Sequence, residues 1–271
     1  MPVTRDHADR VQISIGSPHA GVVVTRFACD GHLLRAVPDR FSTALHLKGR
    51  SEWSAGRTRW SSRPGTTSLK VPGEVYAERA REGRGEFQVV LFDAALVDEA
   101  RRALDRPVIA PQIHALDRDD PRGRALAALH QRCLDDDDSP IEAAVCEGLT
   151  AFVELTCAAR GTSRATGSAA VARARALLDE RITETVGLDE LAAHARLDKY
   201  RLCRAFRAEV GLPPHAYVTH RRVALAQGLL ARGVGQAEVA ARVGLYDQSQ
   251  LHRHFKRILG LTPGAFARAA R

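Results

Sequence analysis

The stretch LAAHARLDKYRLCRAFRAEVGLPPHAY, Leu191 to Tyr217, returns 48 to 49 residues later as VAARVGLYDQSQLHRHFKRILGLTPGAF, Val239 to Phe266. Leu202 aligns with Leu251, Arg204 with Arg253, Phe206 with Phe255, Gly211 with Gly260 and Pro214 with Pro263. Self-similarity of this kind marks one supersecondary unit used twice. Each copy reads as a short apolar helix, a tight turn and a second helix. In the first copy Leu188 to Ala195 is the short helix, Asp198 is placed to cap the next one, and Gly211 to end it left-handed. Asp247 and Gly260 take those places in the second copy.

Spun at 100° per residue, the second helix of each copy separates into two faces. Leu202, Ala205 and Phe206 point inward in the first, and Leu251, Phe255 and Ile258 in the second. The opposite faces carry Tyr200, Cys203, Arg204 and Arg207, and equivalently Ser249, His252, Arg253 and Lys256. Long donors flanked by cations, on a helix backed by a small core, are what reading a DNA major groove requires. Arg204 and Arg253, mid-face, suit bidentate contact with guanine, and Gln248 suits adenine. Tyr200 offers a ring to a thymine methyl, while Lys199 and Arg201 are expected on phosphate. An ordinary amphipathic bundle would also show a basic face, but it has no need of two superimposable copies. Between the copies, Pro214 to Leu230 reads as one helix of about 25 Å. A rigid connector of that kind lets two reading heads enter successive groove segments, about 34 Å apart on one face of DNA.

Charge supports the same partner. The 271 residues carry a formal net charge of +8, but residues 1–160 hold 22 Lys and Arg against 23 Asp and Glu, while residues 161–271 hold 18 against 9. The basic excess lies in the half that contains the repeat, where a phosphate backbone would reward it. The small, polar stretch from Ala158 to Ser168 is the expected linker, so two domains are predicted, 1–160 and 161–271. Upstream, VQISI, GVVVTRF, FSTALHLKG, TTSLKV and EFQVVLF read as short strands of a barrel or sandwich. From Pro121 the pattern turns helical: RALAALHQRCL, an acidic cap at Asp135 to Asp138 with Ser139 and Pro140, then IEAAVCEGLTAFVELTCAA.

The run from Gly244 to Phe266, with its closing GLTP element, resembles the signature of the AraC/XylS family of transcription regulators, over about residues 168 to 271. The resemblance implies a seven-helix DNA-binding domain that acts on promoters, usually as an activator contacting RNA polymerase. The chain departs from the family at Gly244-Leu245, where Phe is usual after Gly, and at Asp198, where Ser is usual. Cys203 and Ser249 are short, so some base positions would be read weakly or through water. The N-terminal half is similar, more loosely, to the family's cupin-like domain, with its PGE turn at Pro72 to Glu74. That implies an α+β chain: a cupin-like β-barrel with a helix pair, then an all-α domain with two helix-turn-helix units. It also implies a small-molecule effector in the barrel and a homodimer formed through the helices from Pro121 to Ala159.

Other chemistries find little to rest on. His19, His32 and His46 lack the spacing of a cupin metal set, so no metal or other cofactor is expected and these histidines read as surface or pocket-lining. Trp53 and Trp60 fall in the expected pocket-mouth loop and, with His46, are the candidate effector contacts, although packing is the commoner use of such rings. Cys133, Cys146 and Cys157 read as small buried helix residues. The five cysteines form no CxxC pair, and no signal peptide or membrane-spanning run is visible, so a cytoplasmic protein is expected. No Ser-His-Asp set, P-loop or GxGxxG has the right flanks, so no enzyme is expected. The competing reading is a DNA-repair alkyl-transfer protein with the same DNA-binding module. It needs a zinc-bound cysteine cluster near its start, and only Cys29 precedes Cys133.

Overall fold

The computed structural model describes residues 11–15, 21–56, 58–109, 111, 113–134, 141–158 and 168–270. The expected linker core and the acidic cap with Ser139 and Pro140 lie outside them, as does His19. In chain order come β1 (Val11–Ile15), β2 (Val22–Cys29), β3 (Arg35–Ala36), β4 (Ser42–Ala55), β5 (Thr58–Ser62), β6 (Thr67–Lys70) and β7 (Tyr76–Phe92). Then follow α1 (Ala94–Ala103), β8 (Val108–Ile109), β9 (Ala115–Leu116), a 3-10 turn, α2 (Arg124–Arg132), α3 (Glu142–Thr156) and β10 (Cys157–Ala158). The C-terminal half is helical throughout: α4 (Ala169–Glu180), α5 (Leu188–Ala195), α6 (Lys199–Val210), α7 (Pro214–Ala231), α8 (Gln236–Arg242), α9 (Gln248–Leu259) and α10 (Pro263–Ala269).

The α+β architecture is as expected, a cupin-like β-barrel followed by two helix-turn-helix units. Its antiparallel sheet runs β1-β2-β7-β4-β6-β9, with β3 added to β7 and β5 to β4. Two strands are far longer than FSTALHLKG and EFQVVLF suggest. β4 does not stop at Gly49; it bends through register shifts between His46 and Arg50 and runs on to Ala55. Gly49 makes that bend at φ +79°, where a Cβ would stand 2.7 Å from the Arg84 carbonyl oxygen. Ser42–Leu45 of β4 therefore pair with β6, and Ser51–Ala55 with β5. Trp53 and Trp60 consequently face each other across a β4–β5 ladder instead of lying in a loop.

α1, unnoticed in the sequence because it follows a strand without a break, packs with α2 and α3 on the sheet around Val97, Leu126, Leu129, Phe152 and Val153. The apolar face of α3 is thus spent on the chain's own core, and its outward residues include Ala143, Cys146 and Glu147. Cys146 is exposed and Cys157 belongs to β10, so neither is the buried helix residue expected; Cys133, at the end of α2, is half-buried.

The two halves share cores. Val37 and Val75 join the cluster of α4–α7, and Cys29 and Phe87 join that of α7–α10. The segment from His32 to Asp39 sits between the two repeat units: His32 Nε2 lies 3.3 Å from the Ile258 carbonyl oxygen, and Arg221 of α7 donates to the Pro38 carbonyl oxygen. The PGE turn meets the same region, since a Cβ on Gly73 would stand 3.3 Å from the Tyr217 hydroxyl.

Candidate nucleic-acid interface and effector cavity

Each repeat unit is built by local rules visible in its residues. Asp198 accepts from the amides of Tyr200 and Arg201 at 3.1 and 2.9 Å, opening α6, and Gly211 closes it at φ +87°. Asp247 accepts from the Gln250 amide at 2.7 Å, opening α9, while the Gln250 side chain accepts in return from the Tyr246 amide at 2.8 Å. Gly260 ends α9 at φ +77°. Leu202 and Phe206 of α6, and Leu251, Phe255 and Ile258 of α9, are buried. Ala205 is half-buried.

On the opposite faces Tyr200, Arg204, Arg207, Gln248, Ser249, His252, Arg253 and Lys256 are exposed. Cys203 and Lys199 are half-buried, and Lys199 Nζ donates to Asp189 at 3.1 Å. Tyr200 stands 75% exposed, an aromatic ring offered to solvent beside cations. Tyr246, the one residue inserted in the second copy relative to the first, is 93% exposed in the turn, two residues before α9 begins. The repeat alignment flags it only as a gap, which is why the sequence reading passed over it.

α7, 18 residues and about 27 Å long, joins the units. Arg222 at its middle donates to the carbonyl oxygens of Ile182 and Glu184 before α5 and of Gly244 in the second turn, at 2.7–2.8 Å. The loop between α4 and α5 and the turn of the second unit are therefore tied to one side chain.

A cavity of about 220 Å³ lies where the barrel meets α7 and α9. Its walls include Phe27, Val37, Phe87 and Val89 from the sheet, and Val223 and Ile258 from the helical half. His46 and Trp53 line it; Trp60 does not, and instead stacks on Trp53 at 6.2 Å behind the wall. Trp53 is fixed by donation to Ser62 Oγ at 2.8 Å. His46 is buried, and burial aided by Lys70 and Arg81 holds its imidazole down at about 3, so it is neutral. Lys70 also reaches this cavity. Its ammonium makes no ion pair among the described residues, lies 5.8 Å from the Tyr76 ring centre, and is held below its ordinary value by burial. Sequence reasoning missed Lys70 because the cavity's walls come from distant segments, from Phe27 in β2 to Ile258 in α9. Among the described residues no group of three or more His, Cys, Asp or Glu is arranged to hold a metal, and no helix is long and apolar enough to cross a membrane.

Comparison with known proteins concentrates on the helical half. The family model for the helix-turn-helix domain matches residues 191–269. The HTH-type transcriptional regulator MtrA of Neisseria gonorrhoeae is 34% identical over 80 residues, 29% of this chain and 27% of MtrA. A putative AraC-like transcription regulator of Streptomyces antibioticus is 37% identical over 78 residues, covering 28% and 26% of the two chains. The HTH-type transcriptional activator AarP of Providencia stuartii is 28% identical over 90 residues, 33% of this chain and 67% of AarP. The match thus spans about a quarter of the first two relatives. Over nearly the whole length the fold is that of ToxT from Vibrio cholerae: an apo variant superposes with a TM-score of 0.60 at 11% identity, covering 93% of this chain and 98% of that one. An unsaturated fatty acid-bound ToxT matches at a TM-score of 0.51, 11% identity, covering 97% and 96%. By the repeat, its two capped helices and these matches, residues 191–269 are similar to the helix-turn-helix domain of AraC-like transcription regulators.

Proposed function

We propose that the protein is a sequence-specific DNA-binding transcription regulator whose residues 161–271 bind promoter DNA and whose residues 1–160 bind a small-molecule effector and form the dimer. The observation that carries this reading is the pair of capped helices α6 and α9, each presenting donors and cations from a buried core. Lys199, Tyr200, Cys203, Arg204 and Arg207 serve the first groove segment; Gln248, Ser249, His252, Arg253 and Lys256 serve the second. Activation through contact with RNA polymerase, in the cytoplasm and without catalysis, completes the reading. Selection of bound duplexes from a randomised library by the full chain tests it. A recovered motif with two half-sites about one helical turn apart is expected; no enrichment would overturn it.

The effector is an amphipathic anion. Asp39 and Glu78 also line the cavity, but Glu78 is engaged by Arg81, and a Lys70 ammonium with no ion pair among the described residues rewards a ligand that brings one negative charge and an apolar body. The unsaturated fatty acid of the ToxT complex has that chemistry. His46 and Trp53 then contact its body and Lys70 its charge, with Trp60 buttressing Trp53. Palmitoleic acid is expected to raise the melting temperature of the full chain and palmitoleyl alcohol to do so far less. Equal shifts, or a shift retained in Lys70→Met, would remove Lys70 from the site. Dimerisation is assigned to the outward side of α2 and α3 and is checked by sedimentation of the full chain.

A further inference from the structure

A second set of cations stands apart from that cavity. Arg35 of β3, Arg59 of β5, Arg79 of β7 and Arg207 of α6 surround a groove of about 460 Å³, whose remaining walls include the small residues Ser54, Gly56, Ala208 and Gly211. They come from both halves of the chain. None of the four guanidinium groups pairs with a carboxylate among the described residues. Several other arginines of the β-rich half are paired: Arg40 with Asp93, Arg63 with Asp117, Arg81 with Glu78, Arg101 with Asp98 and Arg122 with Asp120. Glu78, the carboxylate next to Arg79 in sequence, is already engaged by Arg81 and by the Leu34 amide.

Unanswered like charges repel. The guanidinium of Arg35 is held below its ordinary value first by burial and then by Arg79 and Arg207. A half of the chain with a slight acidic excess has nonetheless gathered three arginines on the edge that meets α6. Planar guanidinium groups around an open groove match the oxygens of a phosphate. The occupant follows from Arg207. It belongs to the Tyr200, Arg204, Arg207 stripe, so the groove opens beside the reading face of α6. With Tyr200 and Arg204 at base edges, the strand that borders the major groove passes at the level of Arg207, one turn further along the helix.

We propose that Arg35, Arg59 and Arg79, with Arg207, seat the DNA phosphate backbone, so that the N-terminal half grips DNA directly beside the first recognition helix. The proposal rests on the DNA-binding reading above. It makes the arrangement of the two halves part of the DNA-binding surface.

The test uses the full chain and a mixed-sequence duplex of about 40 base pairs, with affinity measured between about 50 and 200 mM salt. The triple variant Arg35→Gln, Arg59→Gln, Arg79→Gln is expected to flatten the dependence of log K on log salt by about 2 to 3, at about 0.9 per lost phosphate contact. Its melting temperature without DNA is expected to hold or rise, because repulsion is relieved; this opposite sign separates DNA contact from a folding defect. A triple variant whose salt slope matches the unaltered chain, while Lys256→Ala lowers the slope in the same assay, would overturn the proposal. So would saturable binding of inorganic triphosphate at these arginines with DNA affinity unchanged in the triple variant. Absence of DNA binding by the unaltered chain would instead overturn the regulator reading on which the proposal stands.

Discussion

Arg221 of α7 donates from its guanidinium to the carbonyl oxygen of Pro38 at 2.8 Å, across the boundary between the halves. The same carbonyl oxygen accepts from the Gly73 amide at 2.9 Å, and the other edge of Arg221 meets Asp179 at 3.1 Å. Asp179 in turn accepts from the Tyr217 hydroxyl at 2.9 and 3.0 Å, and burial beside that carboxylate pushes the phenol well above its ordinary value. One side chain therefore joins the PGE turn, the loop after β3 and the core of the first unit.

Arg221→Ala breaks that junction and leaves Asp179 partly buried without its cation. The expected loss of stability is about 1.5–3 kcal/mol, the range for hydrogen bonds to charged groups. Amide exchange should quicken in residues 34–39 and 72–76 in particular. Uniform protection in both segments of the variant would show that the contact does not hold the halves together.

The two helix-turn-helix turns differ at one aligned position. Gly244 has φ +75° and a Cβ there would fall 2.1 Å from the Thr183 carbonyl oxygen; Arg196 takes φ +57° at the equivalent place without glycine's freedom. Gly244→Ala should cost more than 2 kcal/mol, since it adds left-handed strain of about 1–2 kcal/mol to a backbone clash beside the Arg222 clamp. Arg196→Gly should be neutral or stabilising by up to about 1 kcal/mol, strain relief outweighing added chain entropy. Urea denaturation of both variants checks the opposite signs. Two equal losses would mean the turns are not under the constraint described.

These turns were legible because their determinants are local. Asp198, Gly211, Asp247 and Gly260 act within a few residues of themselves, and a repeat displays each rule twice. The β-rich half depends on distant partners. Nothing near Gly49 in sequence shows that β4 will bend there and continue, because the constraint is the Arg84 carbonyl on β7. Trp60 was misplaced for that reason, and the cavity at Lys70 was unseen because Val223 and Ile258 close it from the other half. The arginine groove escaped notice for the same cause, since net charge averages over a half-chain that is locally basic at one edge.

Reading and anchoring should separate by mutation. Arg204→Ala and Arg253→Ala are each expected to lose about 1–3 kcal/mol and to relax preference at one or two base positions. Lys256→Ala should weaken all duplexes alike and lower the salt slope by about one. Binding titrations against a randomised library at two salt concentrations distinguish these outcomes. Equal weakening of every sequence by the two arginine variants would reassign the outer faces to phosphate.

Stability should fall on mild acidification. Burial holds both His46 and His130 at about 3; His130 Nδ1 lies 2.7 Å from Gln88 Oε1 inside the barrel. The unfolded chain binds protons at these histidines below about pH 6.5 and the folded chain refuses them, so their contribution is complete above that pH and is lost as pH falls towards 3. At pH 5.5 each costs about 1.4 kcal/mol. His130→Gln should abolish about that much of the drop between pH 7 and 5.5 in denaturant unfolding. An undiminished drop would show that His130 does not titrate on unfolding in this window.

The unbroken run of α7 also sets a rule for change in the chain's length. A single residue added within Pro214–Ala231 advances everything after it by 1.5 Å and turns it through 100°. α9 would then face away from the side that α6 addresses, and Arg222 could no longer bridge the α4–α5 loop and the turn of the second unit. Loops of the barrel can lengthen without touching this phase relation. The connector cannot, so insertions and deletions should be tolerated before Ser168 far more readily than inside α7, whatever residues they bring.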